Sequence, residues 1–321
     1  MKPLNDILKR AKTHPRHIVL AEGDDPRIIN GAIKAAKAGI ADVTLLRSSS
    51  ENLGKSVNSI IPVQSSKLQS YADAYFEIHQ HKSVDRAAAL EAVKKPLIYA
   101  NMMVLLGDAD GSVAGAVHTT SDVVRAALQI IGVAPHYEMI SSFFLMILDQ
   151  DHHPMKRAIL FADSGLVISP DEKELQQIAL ASAASAKLLL DVEPKIAMLS
   201  FATKDSAKHP DVDKIANVTR SLSQTQPDLM VDGPLQFDAA ILPAIADKKA
   251  KGSPVAGQAN IFIFPDLNSG NIAYKIAERI GGATAIGPIL QGLAKPANDL
   301  SRGCNAEAVF NMIAVTTLQA Q

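Results

Sequence analysis

Short apolar runs bounded by turn residues alternate along this chain with longer segments in which apolar side chains recur every three or four positions. The first runs set the rhythm: residues 17–21 read as a strand, 26–38 as a helix and 42–46 as a second strand. Further strands are predicted at 111–115, 158–162, 195–200 and 260–264, and further helices at 121–131, 172–190, 211–226, 271–280 and 306–319. Short buried runs suit strands and a 3.6-residue period suits helices, so this alternation predicts an α/β fold with a largely parallel sheet. Leu4, Ile7 and Leu8 also stand at helical spacing, and alanine-rich stretches at 86–92 and 179–186 favour helix. The rhythm breaks at 148–157, where Asp149, Gln150, Asp151, His152, His153 and Pro154 form a polar loop, either a hairpin or a crossing between domains. Adjacent histidines point apart on most backbones and no third one stands at ligand spacing, so these are expected to be solvated loop residues with no metal.

Composition narrows the partners. A length of 321 residues suggests two domains, and 47% apolar with 20% charged residues is ordinary globular composition. The formal net charge of −1 gives no global attraction to nucleic acid or anionic lipid, so any anion must be bound locally. Aromatic residues make up 4% of the chain and tryptophan is absent, which leaves few platforms for stacking bases. The apolar stretches at 141–148 and 260–265 fall well short of the roughly 18 residues that span a bilayer. Residues 1–16 are basic and polar without the apolar centre of an export signal, and the single cysteine, Cys304, cannot close an intrachain disulfide. A reducing cytoplasm is the expected location.

Three segments concentrate candidate chemistry. Residues 111–125 read as strand, small-residue loop, hydroxyl cluster and helix. Gly115 would admit close backbone approach, Thr119, Thr120 and Ser121 would offer hydroxyls beside free amides at a helix start, and Arg125 lies one turn further. The same residues also make ordinary helix caps. In the second segment Asn271 and Lys275 share a helical face at i, i+4, followed by glycine-rich turns that include Gly287, Gln291 and Gly292; a plain helix start with turn glycines fits equally well. The third runs from Lys295 through Asn298, Ser301, Arg302, Gly303 and Cys304. Arginine offers a planar fork for phosphate or carboxylate, serine a hydroxyl for a developing oxyanion, and Gly303 a tight backbone position. Cys304 has no histidine partner nearby and reads as a small buried thiol.

Six runs, in this order, give the chain a specific resemblance: Glu22-Gly23-Asp24-Asp25-Pro26-Arg27; the stretch 197–204 ending Ser200-Phe201-Ala202-Thr203-Lys204; Asp232-Gly233-Pro234-Leu235-Gln236-Phe237-Asp238-Ala239-Ala240; Phe264-Pro265-Asp266-Leu267-Asn268-Ser269-Gly270-Asn271-Ile272-Ala273-Tyr274-Lys275; Gly287-Pro288-Ile289-Leu290-Gln291-Gly292; and Asn298-Asp299-Leu300-Ser301-Arg302-Gly303-Cys304. Together they resemble the phosphate acetyltransferase family over essentially the whole chain. The resemblance implies two three-layer α/β domains with a cleft between them, isocitrate/isopropylmalate dehydrogenase-like, one formed by 1–141 together with 297–321 and the other by 142–296. It implies a homodimer, coenzyme A with acetyl phosphate or phosphate as substrates, no bound cofactor and no catalytic metal. The implied reaction is direct attack of the coenzyme A thiolate on an acyl phosphate in a ternary complex. Ser301 and Arg302 would then stabilise the transition state, and Arg125, Thr119, Thr120, Ser121, Asn271, Lys275, Gln291 and Asn298 would bind substrate.

The sequence departs from the resemblance at named positions. The aspartate that would take the thiol proton falls at Ala308, preceded by Glu307, and one residue of offset turns a helical side chain by about 100°. His79 stands for an arginine in the run from Glu77 to Lys82, Asp205 for a glycine, Pro234 for a glutamate and Ser164 for a frequent cysteine. A transferase remains the leading reading; a weakened acyl-CoA or acyl phosphate-binding regulator and a transferase for longer acyl chains stand as alternatives.

Overall fold

The computed structural model describes residues 2–49, 56–80 and 84–321. The chain divides into two compact units, one of residues 6–136 with 293–321 and one of 137–292 grouped with the first five residues. The first begins with α1 (Lys2–Thr13), β1 (Arg16–Leu20), α2 (Pro26–Lys37), β2 (Ala41–Leu46) and β3 (Asn58–Ile60). It continues with α3 (Leu68–His79), α4 (Arg86–Val93), α5 (Pro96–Leu106), β4 (Gly111–Ala114) and α6 (Thr120–Ile130). The start of α2 is set locally: the Asp25 carboxylate accepts from Arg27 N at 2.8 Å, and Pro26 occupies the first turn, where a missing N–H costs nothing.

The second unit holds β5 (Ser141–Leu148), β6 (Arg157–Ala162), α7 (Glu172–Leu190), β7 (Lys195–Leu199), α8 (Pro210–Thr225), β8 (Met230–Leu235), α9 (Phe237–Ile241), α10 (Pro243–Lys249), β9 (Ile261–Ile263), α11 (Leu267–Arg279) and β10 (Thr284–Gln291). Its sheet runs β10-β5-β6-β9-β7-β8, antiparallel across the first three strands and parallel across the rest. Pro234 lies in β8, an edge strand, where the ladder tolerates a residue without N–H. The polar loop after β5 is a hairpin, since Leu148 pairs with Arg157 across β5 and β6. Its histidines are not simply solvated: His152 and His153 each direct Nε2 to the Gly281 carbonyl at 2.8 Å, tying the hairpin to the turn after α11.

The chain then returns to the first unit as β11 (Ala297–Asp299) and α12 (Ala306–Gln319). The first unit's sheet runs β11-β4-β1-β2-β3, parallel throughout. Val19 and Ala21 join the core made with α3, α5 and α6, while α2 and α12 pack together on the sheet's other face. A side chain at Gly31 would come 2.6 Å from Val309, so glycine is what lets those two helices cross this closely. Residues 309–318 of α12 are all buried, which is why apolar side chains occupy most faces of that helix. Both units are three-layer α/β structures.

Candidate active site

In the first unit the site grows from the carboxyl ends of β4 and β11, neighbouring parallel strands, the usual place for ligands in such sheets. Gly115 follows β4 at φ +106°, and a Cβ there would stand 2.1 Å from Asp299 Oδ1 and 2.6 Å from Leu300 N. Only glycine lets the two loops meet. Next the chain lays the amides of Ala116, Val117 and His118 in a row, and the Glu22 carboxylate accepts all three at 2.7, 2.8 and 2.7 Å. This row of amides, just before the hydroxyl cluster at 119–121, is an anion cradle filled by the protein's own carboxylate. Thr119 then caps α6, accepting from Asp122 N at 3.2 Å and donating to Asp122 Oδ2 at 2.7 Å.

Thr120 Oγ1 donates to Asp299 Oδ2 at 2.6 Å, which commits its hydroxyl to the protein as well. Thr119 and Thr120 thus both have structural roles, in the α6 cap and against Asp299. Ser121 and Arg125 remain exposed, and Arg125 pairs with Asp122, one turn away at 3.0 Å. Asp299 is fully buried, and burial pushes its carboxyl up to about 7; the Thr120 hydroxyl and the Arg302 charge pull it down, while Glu22 pushes it further up.

Ser301 and Arg302 occupy the exposed loop between β11 and α12. Ser301 Oγ accepts from Gly303 N at 3.2 Å, leaving its proton to donate outward. The loop is braced through its main chain. Arg27 donates to the carbonyls of Arg302 at 2.7 Å, Cys304 at 3.3 Å and Ala116 at 2.8 Å, and its guanidinium is fixed by two further bonds to Asp25. Sequence reasoning overlooked Arg27, Glu22 and Asp299 as site groups; the only signal was their place in the quoted motifs. Gly303 needs no special conformation, since a Cβ there would meet nothing nearer than Ser301 Oγ at 3.7 Å. The Cys304 thiol is half-buried, and burial raises it away from nucleophilic use.

The start of α12 is regular. Asn305 caps it by accepting from Ala308 N at 2.9 Å, and Glu307 forms an ion pair with Lys34 of α2. Glu307 is therefore aimed at α2 and does not stand in for a carboxylate at position 308. Asn298 is buried, its amide donating to Thr316 Oγ1 at 2.9 Å and Gln319 Oε1 at 2.6 Å, so it fastens β11 to α12. His79 is likewise buried, stacked on Tyr75 at 4.1 Å with Nδ1 on the Tyr75 carbonyl; His81 and Lys82 lie outside the described residues.

In the second unit α11 starts earlier than its pattern suggests, because Asp266 accepts from Ser269 N at 2.8 Å and takes the cap. Asn271 thus sits in the second turn and donates to the Ser164 carbonyl at 3.1 Å, whereas Lys275 is exposed. Ser164 belongs to a turn held by buried Asp163, whose carboxylate accepts from Ser142, Gly165 and Leu166. Gln291 is corrected: buried at the end of β10, its amide oxygen accepts from Ser185, and its nitrogen donates to Ser141 and Ser182. Both N–H donors of the amide are taken up inside the protein. At the position read as a departure from glycine, Asp205 has φ −88° and needs none; the positive φ of 54° belongs to Lys204. A 520 Å³ cavity opens beyond β7 and β9, lined by Ser200, Phe201, Lys214, Phe237, Phe264 and Asp266 among others, a mixture of aromatic walls and a few polar groups that suits a small molecule.

An α/β chain with a braced, exposed serine–arginine loop at the ends of parallel strands has the build of an enzyme acting on an anionic substrate. Residues 3–317 match the Phosphate acetyl/butaryl transferase family, and the chain belongs to that family and is a transferase. It is similar to a phosphate acetyltransferase of Paracoccus denitrificans, 47% identical over 321 residues covering all of both chains. The structure of a phosphotransacetylase from Streptococcus pyogenes, 39% identical, superposes with a TM-score of 0.90 over 99% of this chain and 98% of that one. A 4-hydroxythreonine-4-phosphate dehydrogenase from Klebsiella pneumoniae, 10% identical, shares the fold alone at a TM-score of 0.53 over 96% of this chain and all of the other.

Proposed function

We propose that the chain is a phosphate acetyltransferase that interconverts acetyl-CoA plus phosphate with acetyl phosphate plus coenzyme A by direct attack in a ternary complex. The observation that carries this reading is full-length membership of the family combined with an intact, braced Ser301–Arg302 loop. The thiolate sulfur bonds to the acyl carbon, the carbonyl oxygen takes up negative charge, and the bond to phosphate then breaks. Ser301, whose proton points away from Gly303 N, donates to that oxygen. Arg302, which has no carboxylate within ion-pair distance among the described residues, receives the phosphate group. Ser121 and Arg125 bind further anionic groups of the substrates, while in the second unit Lys275 is exposed and Asn271 helps place its own turn against Ser164. Coenzyme A enters as substrate, and no resident cofactor is required.

The test is thioester formation from acetyl phosphate and coenzyme A, with propionyl and butyryl phosphate in parallel. Turnover fastest with the acetyl ester supports the proposal, and tight coenzyme A binding with no turnover on any ester overturns it.

The working unit is a homodimer in this reading. Ile272, Ile276 and Ile280 form an exposed row at i, i+4 and i+8 on α11, with Ile280 at 82% exposure, an apolar stripe that a second copy would cover. Ile276→Lys is expected to raise the dimer dissociation constant by at least about tenfold, and sedimentation velocity reads the change. An unchanged association state in that variant excludes this face. In this reading the enzyme works in the cytoplasm, where its substrates are; no helix among the described residues is long and apolar enough to cross a membrane.

A further inference from the structure

Thioester formation from a thiol requires a proton acceptor near the Ser301–Arg302 loop, and the first unit holds one that neither the motifs nor the helix starts indicate. His118 Nδ1 lies 2.8 Å from Glu22 Oε1. The same carboxylate already accepts three backbone N–H groups and is shielded from solvent, its side chain only 3% exposed. In its ionised form, with every one of these bonds received, Glu22 leaves the ring proton on Nδ1. The lone pair is therefore on Nε2. No partner occupies that nitrogen among the described residues, and the ring is partly exposed where it lines a 390 Å³ cavity shared with Asp24, Arg47 and Lys94. A buried carboxylate that fixes the tautomer and orientation of a partly exposed imidazole is the arrangement that makes histidine a working base.

The loop carrying this pair is tied to the reacting loop. Arg27 bonds to Ala116 O at 2.8 Å and Arg302 O at 2.7 Å, and the backbone at Gly115 lies against Leu300. Ala308 supplies no acceptor and Glu307 is paired with Lys34, so neither of those two positions on α12 competes for the role.

We propose that His118, oriented by Glu22, accepts the coenzyme A thiol proton on Nε2. As the S–H bond breaks, the sulfur forms its bond to the acetyl carbon and the Glu22 carboxylate offsets the imidazolium charge. When the tetrahedral centre collapses, the carbon–oxygen bond to phosphate breaks and the imidazolium returns its proton to the departing oxygen. The products are acetyl-CoA and hydrogen phosphate, and His118 is neutral again. Glu22 is a positioning residue in this scheme.

The proposal rests on the transferase reading, and the experiment separates the two. Steady-state rates of acetyl-CoA formation are compared for the unsubstituted protein, His118→Asn and His118→Ala, the last with and without added imidazole. Asparagine can keep the donor to Glu22 while removing the base. The expected result is a kcat about 100-fold lower in His118→Asn with both KM values nearly unchanged, and partial recovery of His118→Ala by imidazole. A kcat within about threefold of the unsubstituted protein, a loss confined to KM, or a loss that imidazole does not relieve overturns the role of His118. Absence of turnover in the unsubstituted protein overturns the transferase reading instead.

Discussion

Arg302→Ala is expected to lower kcat for acetyl-CoA formation by about 10³-fold, the upper range for removing one preorganised charge donor from a transition state. The melting temperature should move by no more than about 2 °C, because Arg302 is exposed and surface substitutions of this kind cost little. What fixes the loop is the Arg302 carbonyl, which accepts from Arg27 and survives the substitution. Arg302→Lys should fall between the two, since an ammonium keeps the charge but loses the planar pair of donors that matches a phosphate edge. Arg27→Met, by contrast, releases the Arg302, Cys304 and Ala116 carbonyls together and should lower both kcat and melting temperature. Stopped assays for thioester paired with thermal melts read all three variants. An Arg302→Ala enzyme that keeps its kcat would remove this residue from the chemistry.

Strands and helices were legible wherever burial imposed a period: residues 158–162 lie within β6, and 172–190 coincide with α7. The start of α11 was not, because the pattern 271–280 marks the amphipathic part of the helix while its cap, Asp266, is decided by one backbone N–H. The same limit governs the site. Gln291 and Asn298 carry amides beside glycines and a serine–arginine motif, which in sequence looks like ligand-binding chemistry. Both point into the core, where buried serines, Thr316 and Gln319 take up their hydrogen bonds. The free amides expected beside Thr119, Thr120 and Ser121 have a counterpart just upstream, where the amides of residues 116–118 cradle an anion that is Glu22, 94 to 96 positions away in sequence. Local pattern identifies donors that need a partner; only the tertiary fold says whether the partner is a substrate or another part of the chain.

Asp299 supplies the second large effect, on stability. Its carboxyl is raised from 3.8 to about 7 in the folded protein, chiefly by burial, so folding favours the protonated form. The sign follows from linkage: the folded state binds more protons here than the unfolded state between these two values. Stability contributed by this group is fully present below the unfolded value, falls as pH rises, and levels off above about 7. The whole change amounts to about 4 kcal/mol, of which about 2.5 kcal/mol lies between pH 5 and 8. Asp299→Asn cannot ionise, and its amide oxygen can still accept from Thr120 Oγ1. The neutral side chain introduces a donor where Oδ1 has no partner, a cost that does not vary with pH and cancels when the two pH values are compared. Urea unfolding of both proteins at pH 5 and pH 8 should therefore show the variant gaining about 2.5 kcal/mol relative to the unsubstituted chain on going to the higher pH. A constant difference across that interval would mean that Asp299 is already ionised in the fold at pH 5, and the buried neutral carboxyl beneath the serine–arginine loop would have to be abandoned.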